Sequence, residues 1–590
     1  MKMAVVIRPK MMNNEKYDKG FILTEDWFLC FGKKLASVFN FNTYELFHLD
    51  YEAAEKFVAF FKNEKVIDDT FKGYNINFKS KEINNVFDFD DKKIQLKTVW
   101  LELRKACNLK CIHCYNDSNP VADSLSNILS IEQWKDIVNQ LVEFSPRTII
   151  LVGGEPLLFK EINELIIFIR QKLPETVIIL YSNLTLLSDK TVEVIKQNDV
   201  KVVTSLYSYN YMTHDKITQT TGSFIKTTDA IKLLMNNNVH VKANNVVMST
   251  NEDDLSETIS YITKLTGKPP KCDDIRCTES RLDYLKPKSQ LRNHMVLSEK
   301  SFRHFDKRQI IRAINGNDCW QGKVVISADG SIKPCVMWCQ NINETILNKK
   351  LYDILLQQLI PYYWKLSKDK VKVCSKCEYR YYCSDCRPLV QTINDRGQLC
   401  LYNPYIGKWS KDNKRLTDYI NSKKVSYNKG FLKIAFVFSC PGKEEDKCNK
   451  VCSGQTGINL SDLISVLAEK KPTVFASRNK YDYLITNASD AIQYMDKDKR
   501  TEPLKSEILL AENLYRLEHE LKDCSLIICM GAKATLAVSA LDLPIKTINS
   551  IHCGNQSLNK KYRINTQSNS KERRIIRIEK LANEIIDSMD

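Results

Sequence analysis

The chain has 590 residues, enough for several domains, and its 43% hydrophobic and 27% charged residues are the balance of a soluble globular protein. No uncharged apolar run reaches membrane-spanning length, and the apolar patch near the N-terminus runs into charged residues and Asn, unlike a secretory signal, so a cytoplasmic protein without a membrane partner is expected. The net charge of +16 suits nucleic acid or an acidic peptide as well as plain solubility, and 20 clustered cysteines point to metal or redox chemistry rather than disulfides.

Residues 1–95 carry one isolated cysteine, Cys30, which reads as a small buried hydrophobe. Alternating stretches lead into a helical pattern in YEAAEKFVAFFKNEK (51–65), which predicts a small α+β unit serving as a cap or a recognition element. From 96 to 270 the pattern changes. TVWLELR alternates as a strand, and SIEQWKDIVNQLVEF (130–144) puts Ile131, Trp134, Val138, Leu141 and Val142 on one helical stripe. RTIILVGGE, TVIILYSN, VKVVTSLYS and VHVKANNVV read as strands, with helices EINELIIFIRQKL, TVEVIKQN and TTDAIKLLMNNN between them. Such alternation predicts a parallel sheet of βα units, a barrel or part of one, with ligands at the C-terminal ends of the strands.

Residues 271–405 are cysteine-rich, and KWSKDNKRLTDYINSKKVSYNKG (408–430) reads as a basic helix and linker within a 406–430 boundary segment. A separate α/β domain, 431–590, opens with the strand FLKIAFVF, includes the strand-like YDYLITNAS and LIICMGAKA, and ends in an amphipathic helix, SKERRIIRIEKLANEIIDSMD.

The stretch CNLKCIHCY places Cys107, Cys111 and Cys114 just after the first strand of the βα region. Three thiolates at these spacings can wrap one corner of an iron–sulfur cubane and leave one iron open. A zinc site is the alternative, with His113 as a fourth ligand. C-x3-C-x2-C followed by an aromatic, with a next strand ending in Gly153-Gly154-Glu155-Pro156, resembles the radical S-adenosylmethionine (SAM) superfamily. The resemblance implies a SAM-binding [4Fe-4S] cluster on the three cysteines, the methionine amino group at Gly153, Gly154 and Glu155, and ribose near Ser182 and Asn183 of YSNLTLL. It also implies reductive cleavage of SAM to a 5′-deoxyadenosyl radical that abstracts hydrogen from substrate, fed by a low-potential donor such as flavodoxin or ferredoxin.

Farther on come Cys319, Cys335, Cys374-x2-Cys377-x5-Cys383-x2-Cys386 and Cys400. C-x2-C pairs alone could be a zinc ribbon, although seven cysteines exceed one zinc site. The order resembles the SPASM extension of radical SAM enzymes, which implies two auxiliary four-iron clusters. Cys374, Cys377, Cys383 and Cys400 would hold the second; Cys319, Cys335 and Cys386 would hold the first, with Cys339, Cys272 or Cys277 as its fourth ligand or an iron left open. The spacing before Cys386 is one residue shorter than the pattern. Enzymes with this extension most often modify peptides or proteins, and the region around CNLKCIHCY resembles peptide maturases; residues 1–95 could then hold a leader peptide.

In the last domain, Pro441-Gly442 with Glu444, Glu445 and Asp446, then LITNAS with Asn487, then His552 after the Gly531-Ala532 turn resemble the uracil-DNA glycosylase superfamily. The resemblance implies a pocket of Ser439, Gly442, Asn487 and His552, with Asn487 reading a base edge. Ser439 stands where iron–sulfur members carry an acidic residue, Cys452 replaces a stacking aromatic, and Cys-Gly follows His552, so the expectation is a binding domain rather than an efficient glycosylase. Cys440, Cys448, Cys452, Cys524, Cys529 and Cys553 are expected to be structural thiols, with another cluster, as some members of that superfamily carry, as the alternative. The main expectation is radical modification of a peptide. The rivals are modification of a nucleic acid or nucleoside presented by the last domain, and a non-enzymatic cluster-bearing scaffold.

Overall fold

The computed structural model describes residues 20–61, 95–121, 128–276, 280–287, 305–338, 342, 344–356, 359–383, 385–390, 392–397, 400–410, 414–564 and 569–589. Cys277 and Cys339, and the end of the helical pattern expected through residue 65, lie outside the described residues.

Four antiparallel strands, β1 (Phe21–Leu23), β2 (Trp27–Phe31), β3 (Ala36–Asn40) and β4 (Leu46–Leu49), form a sheet in chain order, followed by the helix Tyr51–Phe61. Trp27, Leu29, Ala36 and Val38 pack with Ala54, Phe57 and Val58 of that helix in one small core. The opposite face, with Leu23, Phe28, Cys30 and Phe39, packs against Tyr379, Tyr381 and Tyr382 of the cysteine-rich region.

The central sheet has eight strands in the order β10-β9-β8-β7-β6-β5-β11-β12. These are β5 (Thr98–Arg104), β6 (Thr148–Gly153), β7 (Val177–Tyr181), β8 (Lys201–Ser205), β9 (Val241–Val247), β10 (Cys272–Asp274), β11 (Lys323–Ile326) and β12 (Ile332–Lys333). β5 to β10 are parallel and adjacent in chain order, the layout of successive βα units. Alternation explains the two faces. Val99, Leu101 and Leu103 of β5 join Ile149 and Leu151 of β6 and Ile178 and Leu180 of β7 in the core under the helices. Trp100 and Tyr181 have the opposite parity, and their rings meet at 5.5 Å. Helix Ile131–Val142 starts where the sequence says it should, because Ser130 and Gln133 close a reciprocal capping box. Its buried stripe is Trp134, Ile137, Val138 and Leu141, whereas Val142, expected inside, is 41% exposed. Trp134, Ile137, Val138 and Leu141 form the i, i+3, i+4, i+7 row of one helical face, and Val142 stands one residue off its edge.

The sheet does not stop at residue 270. β10 adds to β9, and β11, from the cysteine-rich region, pairs in parallel with β5 from Lys323 against Thr98 to Ile326 against Leu101. The hairpin β13 (Tyr402–Asn403) and β14 (Lys408–Trp409) closes this region.

The last domain is a parallel sheet, β16-β15-β17-β18, of β15 (Ile434–Phe438), β16 (Leu484–Asn487), β17 (Leu526–Met530) and β18 (Lys546–Ser550). One face packs on helices Gln455–Lys470 and Ser570–Asp587, the other on Ala511–Leu521 and Ala532–Leu541. β15 and β17 are buried along their length because both faces are covered, which is why they read as continuous apolar runs.

Candidate functional site

The loop with Cys107, Cys111 and Cys114 leaves the C-terminal end of β5 and lies beside the end of β6. There the backbone comes very close. Gly154 N–H donates to Arg104 O at 2.7 Å and Glu155 N–H to Ala106 O at 2.9 Å. A Cβ on Gly153 would sit 2.3 Å from Arg104 O, and one on Gly154 would sit 2.2 Å from Ala106 O. Gly153 also has φ +146. The two glycines are therefore required by the approach of the strand that leads into Cys107.

Glu155 is fully buried, and the local structure uses all of its carboxylate. One oxygen accepts from Leu157 N–H at 2.9 Å and Ser182 Oγ–H at 2.7 Å; the other accepts from Asn183 N–H at 2.8 Å. Burial, resisted by these three donors, pushes the carboxyl up to about 7. The side-chain Nδ2 of Asn183 in turn lies 3.7 Å from Cys107 Sγ and donates to Asn108 Oδ1 at 3.0 Å. One network thus joins the ends of β6 and β7 to the first cysteine. The Glu155 side chain ties the end of β6 to the end of β7.

Burial pushes the Cys107 thiol up to about 11 and the Cys111 thiol up to about 12, and each is raised further by neighbouring cysteines of the same loop. Cys107 Sγ accepts from Leu109 N–H and Cys114 Sγ from Ser118 N–H, both at 3.4 Å. Three thiols with one coordination position left over fit a four-iron cluster with an open iron. Among the described residues no three Cys, His, Asp or Glu side chains are arranged around a single ion position. His113 packs edge-on to Tyr207 at 4.7 Å, its Nδ1 has no hydrogen-bond partner, and burial lowers it to about 4, so it is neutral at physiological pH.

Glu102, which the sequence reading passed over, stands on the same face of β5 as Trp100. It is 4% exposed; Oε2 accepts from Ser327 Oγ–H at 2.6 Å and pairs with Lys333 Nζ at 3.3 Å, while Oε1 has no partner. A lone carboxylate in an apolar strand was the signal that marks it.

The later cysteines fall into two neighbourhoods. Cys386 is pushed up to about 11 by burial and also feels Cys335 and Cys319, and Cys335 feels Cys319. Cys400, up to about 11, feels Cys383 and Cys374, and Cys377 feels Cys400 and Cys374. Cys272 lies on the edge strand β10, opposite Asn245. Lys368, Arg387 and Arg396 lower or oppose the rise at Cys374, placing three cations around this set.

In the last domain Ser439 and His552 line a cavity of about 540 Å³ at the C-terminal end of the sheet, with Gly531, Lys533, Lys560 and Lys561. His552 Nδ1 accepts from Gly554 N–H at 3.0 Å, its ring lies against Phe438, and burial lowers its pKa. Asn487 ends β16 beside Phe438 of β15, is 7% exposed, and its carbonyl accepts from Arg516 at 2.8 Å. Gly442 precedes the short helix Lys443–Cys448 and donates to Glu445 at 3.1 Å. Cys452, Cys529 and Cys553 are buried in the two cores of the domain, whereas Cys448 is exposed.

Residues 101–262 match the Radical SAM superfamily. The antilisterial bacteriocin subtilosin biosynthesis protein AlbA of Bacillus subtilis (strain 168) is 26% identical over 341 residues, 54% of this chain and 72% of that protein. The sporulation killing factor maturation protein SkfB of the same organism is 30% identical over 161 residues, 27% of this chain and 38% of that protein. Relatives named GTP 3′,8-cyclase and AdoMet-dependent heme synthase match as well. Among solved structures, SuiB of Streptococcus suis bound to S-adenosylmethionine is 15% identical with a TM-score of 0.42, over 62% of this chain and 95% of that one. No helix among the described residues is long and apolar enough to cross a membrane. The three thiols, the glycine approach and the Glu155 network all lie within the matched segment, and residues 101–262 are a radical SAM domain.

Proposed function

We propose that this protein is a cytoplasmic radical SAM enzyme with a SPASM-type extension that modifies a ribosomally made peptide or a protein. The observation that carries the first part is the convergence of the Cys107–Cys114 loop with Gly153, Gly154 and the Glu155–Ser182–Asn183 network at one end of the parallel sheet. The relatives named for bacteriocin biosynthesis and for killing-factor maturation support the peptide substrate.

When bound, a reduced four-iron cluster on the three thiols supplies the electron that cleaves SAM to a hydrogen-abstracting radical. The chain's own residues bind and orient: the backbone at Gly153 and Gly154 meets the methionine end, Ser182 and Asn183 the ribose, and Glu155 fixes both. The two later sets would carry auxiliary clusters, Cys319, Cys335 and Cys386 the first and Cys374, Cys377, Cys383 and Cys400 the second. The N-terminal unit, docked on the segment that carries Cys377 and Cys383, is the proposed seat of a leader peptide.

Anaerobic reconstitution with dithionite and SAM tests the reading. Three filled sites hold about twelve irons per chain, and changing Cys107, Cys111 and Cys114 to Ala removes about four of them and all 5′-deoxyadenosine. Bound zinc in place of iron, with no nucleoside formed, sinks it. A second reading has the last domain present a nucleic acid to the radical site, and its support is the lysine-lined cavity with His552. That reading requires oligonucleotide affinity to fall steeply between low and physiological salt.

A further inference from the structure

The cations beside the second cysteine set are balanced from two different places. Lys368 and Arg387 both pair with Asp385, which sits in the same cysteine-rich loop. Arg396, with a side chain only 8% exposed, pairs instead with Glu512, on the helix Ala511–Leu521 of the last domain. The contact is two-pronged: Nε faces one carboxylate oxygen and Nη2 the other at 3.1 Å. Nη1 donates to Tyr402 O, two residues past Cys400, and Cys400 N–H donates to Gly397 O at 3.0 Å, so the arginine is folded into the turn that carries the cysteine. Arg396 acts electrostatically on both Cys374 and Cys400. The rest of the interface is tied down beside it: Asn403 Nδ2–H donates to Leu509 O at 2.6 Å, Tyr405 OH to Glu518 at 2.6 Å, and Lys33 and Lys376 both pair with Glu518.

We infer that Glu512 is a counter-charge supplied by the last domain that sets the reduction potential of a cluster on Cys374, Cys377, Cys383 and Cys400, by neutralising Arg396 across the domain boundary. This rests on the reading that those four cysteines hold an iron–sulfur cluster. Reduction adds a negative charge, so an uncompensated arginine favours the reduced form and a lost arginine disfavours it. The last domain is then a working part of the redox site whatever else it binds.

The test is a redox titration followed by electron paramagnetic resonance on the full-length reconstituted protein, reading the signal that a Cys374→Ala variant loses. Glu512→Gln should raise the midpoint and Arg396→Gln lower it, each by about tenfold in the oxidised-to-reduced ratio at fixed potential, about 59 mV for one electron. The double variant should return close to wild type, and Glu512→Asp should stay there. If Arg396→Gln loses iron, Arg396→Lys and Glu512→Gln carry the comparison. Unchanged midpoints with iron retained, or shifts of the same sign in both single variants, overturn the inference. A wild-type protein with no signal that depends on Cys374 overturns the underlying cluster reading instead.

Discussion

Replacing Glu155 tests whether its side chain acts by holding loops. Three donors converge on it: Leu157 N–H, Ser182 Oγ–H and Asn183 N–H, at 2.9, 2.7 and 2.8 Å. Glu155→Ala orphans all three in a fully buried place. At roughly 1–3 kcal/mol per buried donor, less what water recovers, the loss is about 3–5 kcal/mol. If about 3 kcal/mol of it falls on the SAM-binding conformation of residues 182–185, SAM affinity drops roughly a hundredfold. Glu155→Gln keeps one acceptor oxygen for Leu157 N–H and Ser182 Oγ–H but turns an amide N–H₂ toward Asn183 N–H, a loss of about 1.4 kcal/mol or roughly tenfold. The pH dependence separates charge from shape. The ionised carboxylate can accept from all three donors, whereas the protonated one cannot, so SAM binding to the wild type should strengthen as pH rises through about 7. Stability moves the other way: a carboxyl raised from 4.5 to about 7 in the fold adds stability that is full below pH 4.5 and gone above about 7. Calorimetric SAM titrations at pH 6 and 8, on samples of equal iron content, decide it. Glu155→Ala binding within threefold of wild type, or Glu155→Gln keeping the wild-type pH dependence, refutes the network.

Other consequences are as direct. Gly154→Ala puts a methyl 2.2 Å from Ala106 O and must displace the chain entering Cys107, so iron per chain should fall by about four while the last domain still unfolds normally in urea. Ligation must strip protons from thiols held near 11 and 12, so iron uptake by the first set should release protons and proceed further at pH 8.5 than at pH 6.5; pH-independent uptake argues against these ligands. His214, held down to about 4 by burial and accepting from Tyr207 N–H at 3.3 Å, contributes stability that is lost as pH falls from 6.5 toward 4. His214→Asn should flatten that part of the acid unfolding curve followed by near-ultraviolet circular dichroism.

The central sheet was legible because its strands alternate and its helices have caps that local chemistry dictates, as Ser130 and Gln133 show. The cysteine loop and the glycines were legible because they are contiguous and have few other uses. What stayed hidden depends on contacts distant in sequence. KVVI at 323–326 looks like any short apolar run, and only its pairing with β5, more than two hundred residues earlier, makes it part of the core sheet. KTINS, the fourth strand of the last sheet, is half polar because it lies at the sheet edge, and so was passed over. Glu102 needed Ser327, just past the end of β11, and Lys333 of β12 to show that it is a held charge rather than an accident of alternation.

The second cysteine set lies where the N-terminal sheet and the last domain both meet the cysteine-rich region. The N-terminal sheet is fastened to the segment between Cys377 and Cys383 through Ser37 Oγ–H to Glu378 O at 2.8 Å, Arg380 to Phe31 O at 2.6 Å and Tyr382 OH to Phe28 O at 3.2 Å. The last domain is fastened to the turn before Cys400 through Arg396 and Glu512. Lys33 joins the two ends of the chain by reaching Glu518 directly. A buried ion pair that loses one partner costs far more than the pair contributes, because the remaining charge is stranded away from water. Arg396 would be stranded in this way by removal of the last domain, and Arg380 would lose the Gly20 and Phe31 carbonyls on removal of the first unit, keeping Asp369 and Cys377 O. The cysteine-rich region therefore depends on both neighbours, and the domains that the sequence presents as separable modules are, around these four thiols, a single electrostatic unit.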